Sequence, residues 1–372
     1  MKFPQFKTEE EALLAISFLS GIGPVLGKNL IQYSGSAKAV FELSDHELLK
    51  IDGIGQTHLN QIRGSLYTSK IDREIEHCKS RNISIVPFYS SSYPIRLKQL
   101  VDSPLYLLTA GLSELNHPRT LGVVGTRKPT KNGLYHTQQI IKELTSYNIQ
   151  IISGLAYGID GIAHHQAIEQ NMSTIGVLAH GMDTIYPKSH LDLARQMVSN
   201  GGAVVSEMPI KTEIHPDLFP RRNRIVAGMC DALLVVESAV TGGSMATAQI
   251  AHSYDREVLV IPGNPNDPMS KGCNAMIKRN VAHLIEDASD IVHLMKWNST
   301  GSSKLIQQLD IFPSLNPDEK TIMNQLIQKK LHIDELLNLC DIPLHRLTLA
   351  ILELELKGLI NVLPGKFYQR VL

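Results

Sequence analysis

The chain has no excess charge of either sign. Its 36 Lys and Arg balance 36 Asp and Glu over 372 residues, which excludes binding to a polyanion by bulk attraction, so any nucleic-acid site must be built locally. Cysteine is scarce and scattered. Cys78, Cys230, Cys273 and Cys340 form no C-x-x-C pair and have no His at zinc-ligand spacing, a pattern that suits reduced thiols in a cytosol rather than a disulfide framework. No apolar run reaches the length of about 18 residues that a membrane span needs. The start, MKFPQFKTEEEALL, has no signal-peptide core, so a cytoplasmic protein with no membrane partner is expected. Two phosphate signatures are also missing. Nothing matches G-x-x-x-x-G-K-[ST], and GVVGTRK, with Gly122 and Gly125, lacks the third glycine of a dinucleotide fingerprint, so no cofactor is expected. Asp160 and His164 stand four apart without a third ligand at fixed spacing, which leaves no metal site to predict. No Ser-His-Asp or paired-carboxylate set offers catalysis either.

What is present is organisation. Residues 1–75 are helical in rhythm and contain two similar phrases, LSGIGPVLGKNLIQY and LLKIDGIGQTHLNQI, with Gly21 and Gly53 lying 32 positions apart. This repeat predicts paired helix-hairpin-helix units in a SAM-like domain; their glycines either present amides to a DNA phosphate or only allow tight packing. Residues 76–297 alternate helical stretches with eight short β-branched runs, ISIVPF, LYLLTA, LGVVG, IQIISG, TIGVLA, AVVSE, ALLVVES and EVLVIPG. Most are apolar on both faces, which predicts a doubly wound, mostly parallel, Rossmann-like α/β sheet covered on both sides. Residues 298–312, beginning NSTGSSK, read as a linker. Residues 313–372 hold three helical patterns and a hairpin turning at Pro364 and Gly365, a winged helix. Its third helix carries Glu353 and Glu355, which argues against groove reading and leaves protein or DNA as its contact.

In such a sheet, ligands gather at the carboxyl ends of the strands. The loops there hold Gly125-Thr126-Arg127-Lys128, Ser153-Gly154 through Tyr157-Gly158, HGMDTIYPKSH with Lys188, and TGGSMATAQ with Gly243 and Ser244. Each junction is expected to offer free amides and the positive end of a helix dipole to an anion. FPRRNRIVAG adds Arg221, Arg222, Asn223 and Arg224. Arginine pairs with phosphate and Asn with base edges, although each arginine here could equally hold an internal ion pair.

Taken together, GVVGTRKPT, SGLAYGIDGIAHHQAI, GVLAHGMDTIYPKSH, FPRRNRIVAG, VVESAVTGGSMATAQIA and VLVIPGNP resemble the DNA-processing protein A family, DprA or Smf. The resemblance implies a non-catalytic, homodimeric protein of lysine-decarboxylase-like fold that binds single-stranded DNA. It also implies protection of incoming DNA in natural transformation and loading of the RecA recombinase. Carried over by motif, it makes Arg127 and Lys188 basic pocket residues and Ser153, Gly154 and Gly158 a backbone-donor loop. It places Asn223 and Arg224 in an Arg-Asn-Arg motif, and Gly243 and Ser244 in a turn beside the pocket. Tyr157 departs from the cation some members carry; it either stacks on a base or packs against its neighbouring helix. Met276 and Ile277 lie where the family self-associates, or are buried in their own core. The alternative is a phosphoribohydrolase-like nucleotide-processing enzyme, whose P-G-G-x-G-T-x-x-E motif loses a glycine here and has Gln249 or its neighbour where the carboxylate belongs.

Overall fold

The two Gly-Ile-Gly phrases become the turns of two helical hairpins. In the computed structural model, which describes residues 6–64, 68–111, 114–297, 315–327 and 329–371, α1 (Glu9–Ser17) turns through Gly21 into α2 (Pro24–Ser34). After α3 (Ala37–Glu42) and α4 (Asp45–Leu48), the chain turns through Gly53 into α5 (Gln56–Arg63). Gly21 and Gly53 hold φ of +76° and +85°, the left-handed region that favours glycine. The turns also lean on each other's hairpin. A Cβ on Gly53 would lie 2.6 Å from Leu26 Cδ2, and one on Gly21 would lie 3.1 Å from His58 Nε2. The next helix, α6 (Thr68–Ser80), runs through position 75, where the sequence set the domain boundary. Its Ile71 and Cys78 share one apolar cluster with Leu13 and Leu30 of the hairpins and with Leu105, Tyr106 and Leu108 at the sheet edge.

The sheet domain follows in chain order: β1 (Ile83–Pro87), the short α7 (Ile95–Lys98), β2 (Tyr106–Gly111), β3 (Thr120–Val124), α8 (Lys131–Glu143), β4 (Gln150–Ser153) and α9 (Ile159–Glu169). Then come β5 (Thr174–Val177), α10 (Leu191–Ser199), β6 (Ala203–Ser206), α11 (Leu218–Met229), β7 (Ala232–Val235) and α12 (Gly243–Ser253). β8 (Glu257–Val260), α13 (Lys271–Lys278), β9 (His283–Leu284) and α14 (Ala288–Leu294) complete it. Strand order is β1-β2-β6-β5-β4-β3-β7-β8-β9, parallel from β6 to β9, with β2 antiparallel to both β1 and β6. All eight runs read from the sequence are strands; β9 is a ninth, two exposed residues long, with no apolar run to announce it. The reason for the missing alternation is visible in the packing. Val124, Ile152, Leu233 and Val235 point into one apolar layer, and Leu121, Val123, Ile151 and Leu234 into the layer on the other face.

The winged helix comprises α15 (Pro317–Gln325), β10 (Lys330–His332), α16 (Ile333–Cys340), α17 (Leu344–Leu356), β11 (Ile360–Leu363) and β12 (Phe367–Arg370). β10 pairs with β12, so the expected hairpin is a three-stranded sheet. The segment read as a linker lies outside the described residues. This domain docks on the amino ends of β3 and β7. Lys330 Nζ donates to Pro118 O at 3.0 Å and lies 3.7 Å from Asp231, whose carboxylate is held by Arg96 at 2.5 Å and by the Thr120 amide at 2.9 Å. Burial lowers the Lys330 ammonium to about 8, against the pull of Asp231. Gly365 in the wing is obliged by the same contact, since a Cβ there would lie 2.2 Å from Arg256 Nη1. Among the described residues, no helix is long and apolar enough to cross a membrane.

Candidate nucleic-acid interface

From β3 the chain winds outward through β4 and β5 to β6, then returns to lay β7 on the other side of β3. The loops after β3 and β7 therefore diverge, and the crevice between them is the topological switch point where such sheets hold ligands. A cleft of about 320 Å³ opens there. Gly125, Thr126 and Arg127 form one wall; Ala239, Gly242, Gly243 and Ser244 form another; Gly154 and Asp160 belong to the floor.

Helix α11 supplies the remaining side through residues at helical spacing: Phe219, Arg222, Asn223 and Val226. That period sorts the basic cluster. Arg222 and Asn223 face the cleft, Arg221 is exposed elsewhere, and Arg224 turns away to donate to Asp102 O at 2.7 Å and to pair with Glu207. For Arg224 the ion-pair alternative is the one realised.

Arg222 is 5% exposed, and its guanidinium lies where a side chain on residue 154 would be: a Cβ on Gly154 would sit 1.5 Å from Nη1. Nη1 donates to Val177 O at 3.1 Å, while Nε has no partner among the described residues. Beneath it, the buried Asp160 accepts the Gly154 amide at 3.1 Å. Burial drives the Asp160 carboxyl above its ordinary range and the Arg222 guanidinium below its own, and the two charges oppose those shifts in each other. Arg127 is exposed and lies over the Phe219 ring, 5.3 Å from its centroid.

The loops are locked by groups that carry no ligand. Glu237, read only as part of a loop from the sequence, is 6% exposed; its backbone carbonyl accepts Thr126 N at 2.7 Å, and its carboxylate accepts Thr130 N at 2.9 Å. Gly133 leaves the room for that carboxylate, 2.4 Å from where its Cβ would be. Consequently the amino end of α8 is already filled, by Glu237 and by the Thr130 cap. At α9, the Ile159 and Gly161 amides are bound to Thr126 O and Ala156 O. The expectation that every junction offers free amides is thus corrected. Of these three helices, α12 alone begins at the cleft on Gly242 with neither a side-chain cap nor such a filling, and Gly243 and Ser244 open onto the cleft.

The glycines play separate parts. Gly125 is required by packing, its Cβ position lying 2.5 Å from Ile159 Cγ1, as well as by the cleft it lines. Gly158 has φ +75° and passes within 2.2 Å, at its Cβ position, of Thr126 O, so it joins two loops rather than lining the cleft. Gly243 has nothing within 4 Å of its Cβ position. Ser153 is fully buried beneath the site and donates to Val123 O at 2.5 Å.

A narrow crevice continues from the cleft past Tyr157, His180, Tyr186 and Pro187. Tyr186 and Phe219 approach with ring centroids 6.3 Å apart, and Tyr157, 48% exposed, meets His190 edge-on at 5.4 Å. Phe219 and Tyr186 stand within FPRRNRIVAG and GVLAHGMDTIYPKSH, but only their placement beside Arg127 and Arg222 makes them candidate site residues. Lys188 is exposed just beyond Pro187 and lines neither cavity. Met276 is 4% exposed within the sheet core and Ile277 packs against that core, which corrects the assignment of Met276 to a free self-association surface. Asp160 and His164 also part company: His164 is buried, bonded through Nδ1 to Thr174 Oγ1 at 2.7 Å, and burial lowers its pKa to about 3.

Comparison with known proteins follows the same outline. A family model described as DNA recombination-mediator protein A matches residues 84–296, and one for the DprA winged helix domain matches residues 312–366. The chain is 28% identical to Protein Smf of Synechocystis over 98% of its own length and 99% of the relative's. It is 32% identical to Protein Smf of Escherichia coli over 77% of each. DNA processing protein A from Streptococcus pneumoniae superposes with a TM-score of 0.65 at 27% identity, covering 78% of this chain and 98% of that one. DNA processing protein A from Helicobacter pylori, studied for its single-stranded DNA binding mode, gives 0.52 at 26% identity over 58% and 97%.

Proposed function

Since the chain belongs to the DNA recombination-mediator protein A family, we propose that it binds single-stranded DNA in the cleft between β3 and β7. In this reading it protects the strand without catalysis and, as a homodimer, hands it to the RecA recombinase during natural transformation. The observation that carries the proposal is the mixture in one place: the exposed Arg127, the buried Arg222 and the bare start of α12, beside the rings of Phe219, Tyr186 and Tyr157. Cations and amides take phosphates, rings take bases face to face, and neither reads sequence, which suits a strand of arbitrary composition. The absence of chemistry is supported by the use made of the carboxylates. Asp160 anchors the Gly154 amide and Glu237 anchors Thr130, so each is already committed to holding a loop.

The test is fluorescence titration with oligothymidine across a salt series. Arg127→Ala should weaken binding at least tenfold at low salt and lower the slope of log K against log salt by about 0.7, the value of one phosphate contact. Phe219→Ala should weaken it with the slope retained. If both variants bind as wild type does, the cleft is not the site. RecA delivery is tested separately, by the rate of RecA filament growth on strand that the protein already holds; no acceleration refutes that part.

A further inference from the structure

The third helix of the winged domain is apolar on its outward side as well as its inward one. Leu347, Ala350, Ile351 and Leu354 of α17 are buried in the domain core. On the opposite side, Leu349, Leu352 and Leu356 are 57%, 50% and 80% exposed. With the exposed His345 before them, they are spaced by four, three and four residues, the seam of a two-helix coiled coil. The docking of this domain through Lys330 and Gly365 leaves that seam uncovered by the sheet domain.

DNA is a poor occupant of this face. Glu353 and Glu355 flank it, and the two nearby cations are engaged, Arg346 with Asp318 at 2.7 Å and Lys357 with Glu319. A second copy fits it on two counts. Laid antiparallel, the seam layers Leu349 against the second copy's Leu352 and His345 against its Leu356. The same arrangement sets Arg346 on one flank toward the second copy's Glu353. Arg346 is prepared for this, because Asp318 holds Nε and Nη2 at 2.9 and 2.8 Å and leaves Nη1 for another acceptor.

We propose that α17 is a self-association surface, joining two copies of this chain through an antiparallel pairing of the Leu349–Leu352–Leu356 seam. The proposal is independent of the DNA cleft. A helix of 13 residues is about 20 Å long, so the contact falls well below the roughly 800 Å² per partner of a standard interface and belongs to the weak, concentration-dependent class.

The experiment is sedimentation of the full chain from about 1 to 100 μM, the range over which so small an interface assembles. Wild type should gain one association step that Leu352→Glu and Leu349→Lys each weaken by on the order of a hundredfold, since each copy buries a charge in place of a leucine. Both positions are exposed, so circular dichroism should show the fold intact. Mixing Leu349→Lys with Leu352→Glu should restore the step, because antiparallel pairing brings the two new charges together. A wild type without the step, a Leu352→Glu variant that keeps it, or a mixture that fails to recover it would each overturn the proposal. Recovery in the mixture cannot come from a different protein partner or from pairing elsewhere on the sheet domain.

Discussion

Two glycines in one cleft should respond oppositely to the same added methyl group. At Gly154 the methyl carbon would lie 1.5 Å from Arg222 Nη1 and 2.2 Å from Cζ, so the guanidinium must leave. Its departure breaks the bond to Val177 O and strips a buried Asp160 of the cation that offsets its burial. Breaking a buried pair costs about 3–5 kcal/mol, and because Arg222 and Asp160 attract each other as charges, about 2–4 kcal/mol is expected for Gly154→Ala. At roughly 2–4 °C per kcal/mol for a domain of this size, the melting temperature should fall by about 5–15 °C. At Gly243 the same carbon meets nothing within 4 Å, at the first residue of α12. Gly243→Ala should therefore lie within about 1 kcal/mol of wild type, with helix propensity on its side. Thermal unfolding followed by circular dichroism in one buffer makes the comparison. If Gly154→Ala melts within about 2 °C of wild type, or Gly243→Ala falls as far as Gly154→Ala, the floor of the cleft is not held by Arg222 as argued.

Arg224→Met should separate stability from binding. It leaves the buried Glu207 unpaired, a loss of about 2–4 kcal/mol, while oligothymidine affinity at a temperature where both proteins are folded should stay within about twofold; a binding loss as large as that of Arg127→Ala would return Arg224 to the site. Glu74 should confer a pH dependence on the helical end of the molecule. Burial, against the bond from the Ile210 amide, raises its carboxyl from 4.5 to about 7. The folded chain therefore retains a proton that the unfolded chain releases, so this group's stabilisation is full below about 4.5 and is lost as the pH rises toward 7. Urea unfolding at about pH 5 and pH 8 should show Glu74→Gln relieved of on the order of 2 kcal/mol of that decline, and an identical decline in both proteins would refute the assignment.

The sheet was legible because its strands are short apolar runs, and runs buried on both faces need no alternation to be recognised. β9 was not, since two exposed residues carry no pattern. The basic cluster was legible as a cluster only. A period of 3.6 residues along 219, 222, 223 and 226 separates the arginine that faces the cleft from those that do not, but applying it requires knowing which face of α11 meets the sheet. Glu237 lay beyond sequence reasoning altogether, because its role depends on Gly133, more than a hundred positions away, being small enough to admit it. Gly125 was legible for its close approach, yet the atom it approaches is a side chain of α9.

Lys330 grips Asp231 at the amino end of β7, whereas the cleft opens beyond Val235 at its carboxyl end. A strand of four residues, about 13 Å long, thus has the proposed binding cleft at one tip and the domain contact at the other. A partner of the winged domain would be approached from behind while a nucleic acid in the proposed cleft stays in front. Traffic at the two poles need not compete for surface, and the rigid strands between them fix the distance at which one is presented to the other.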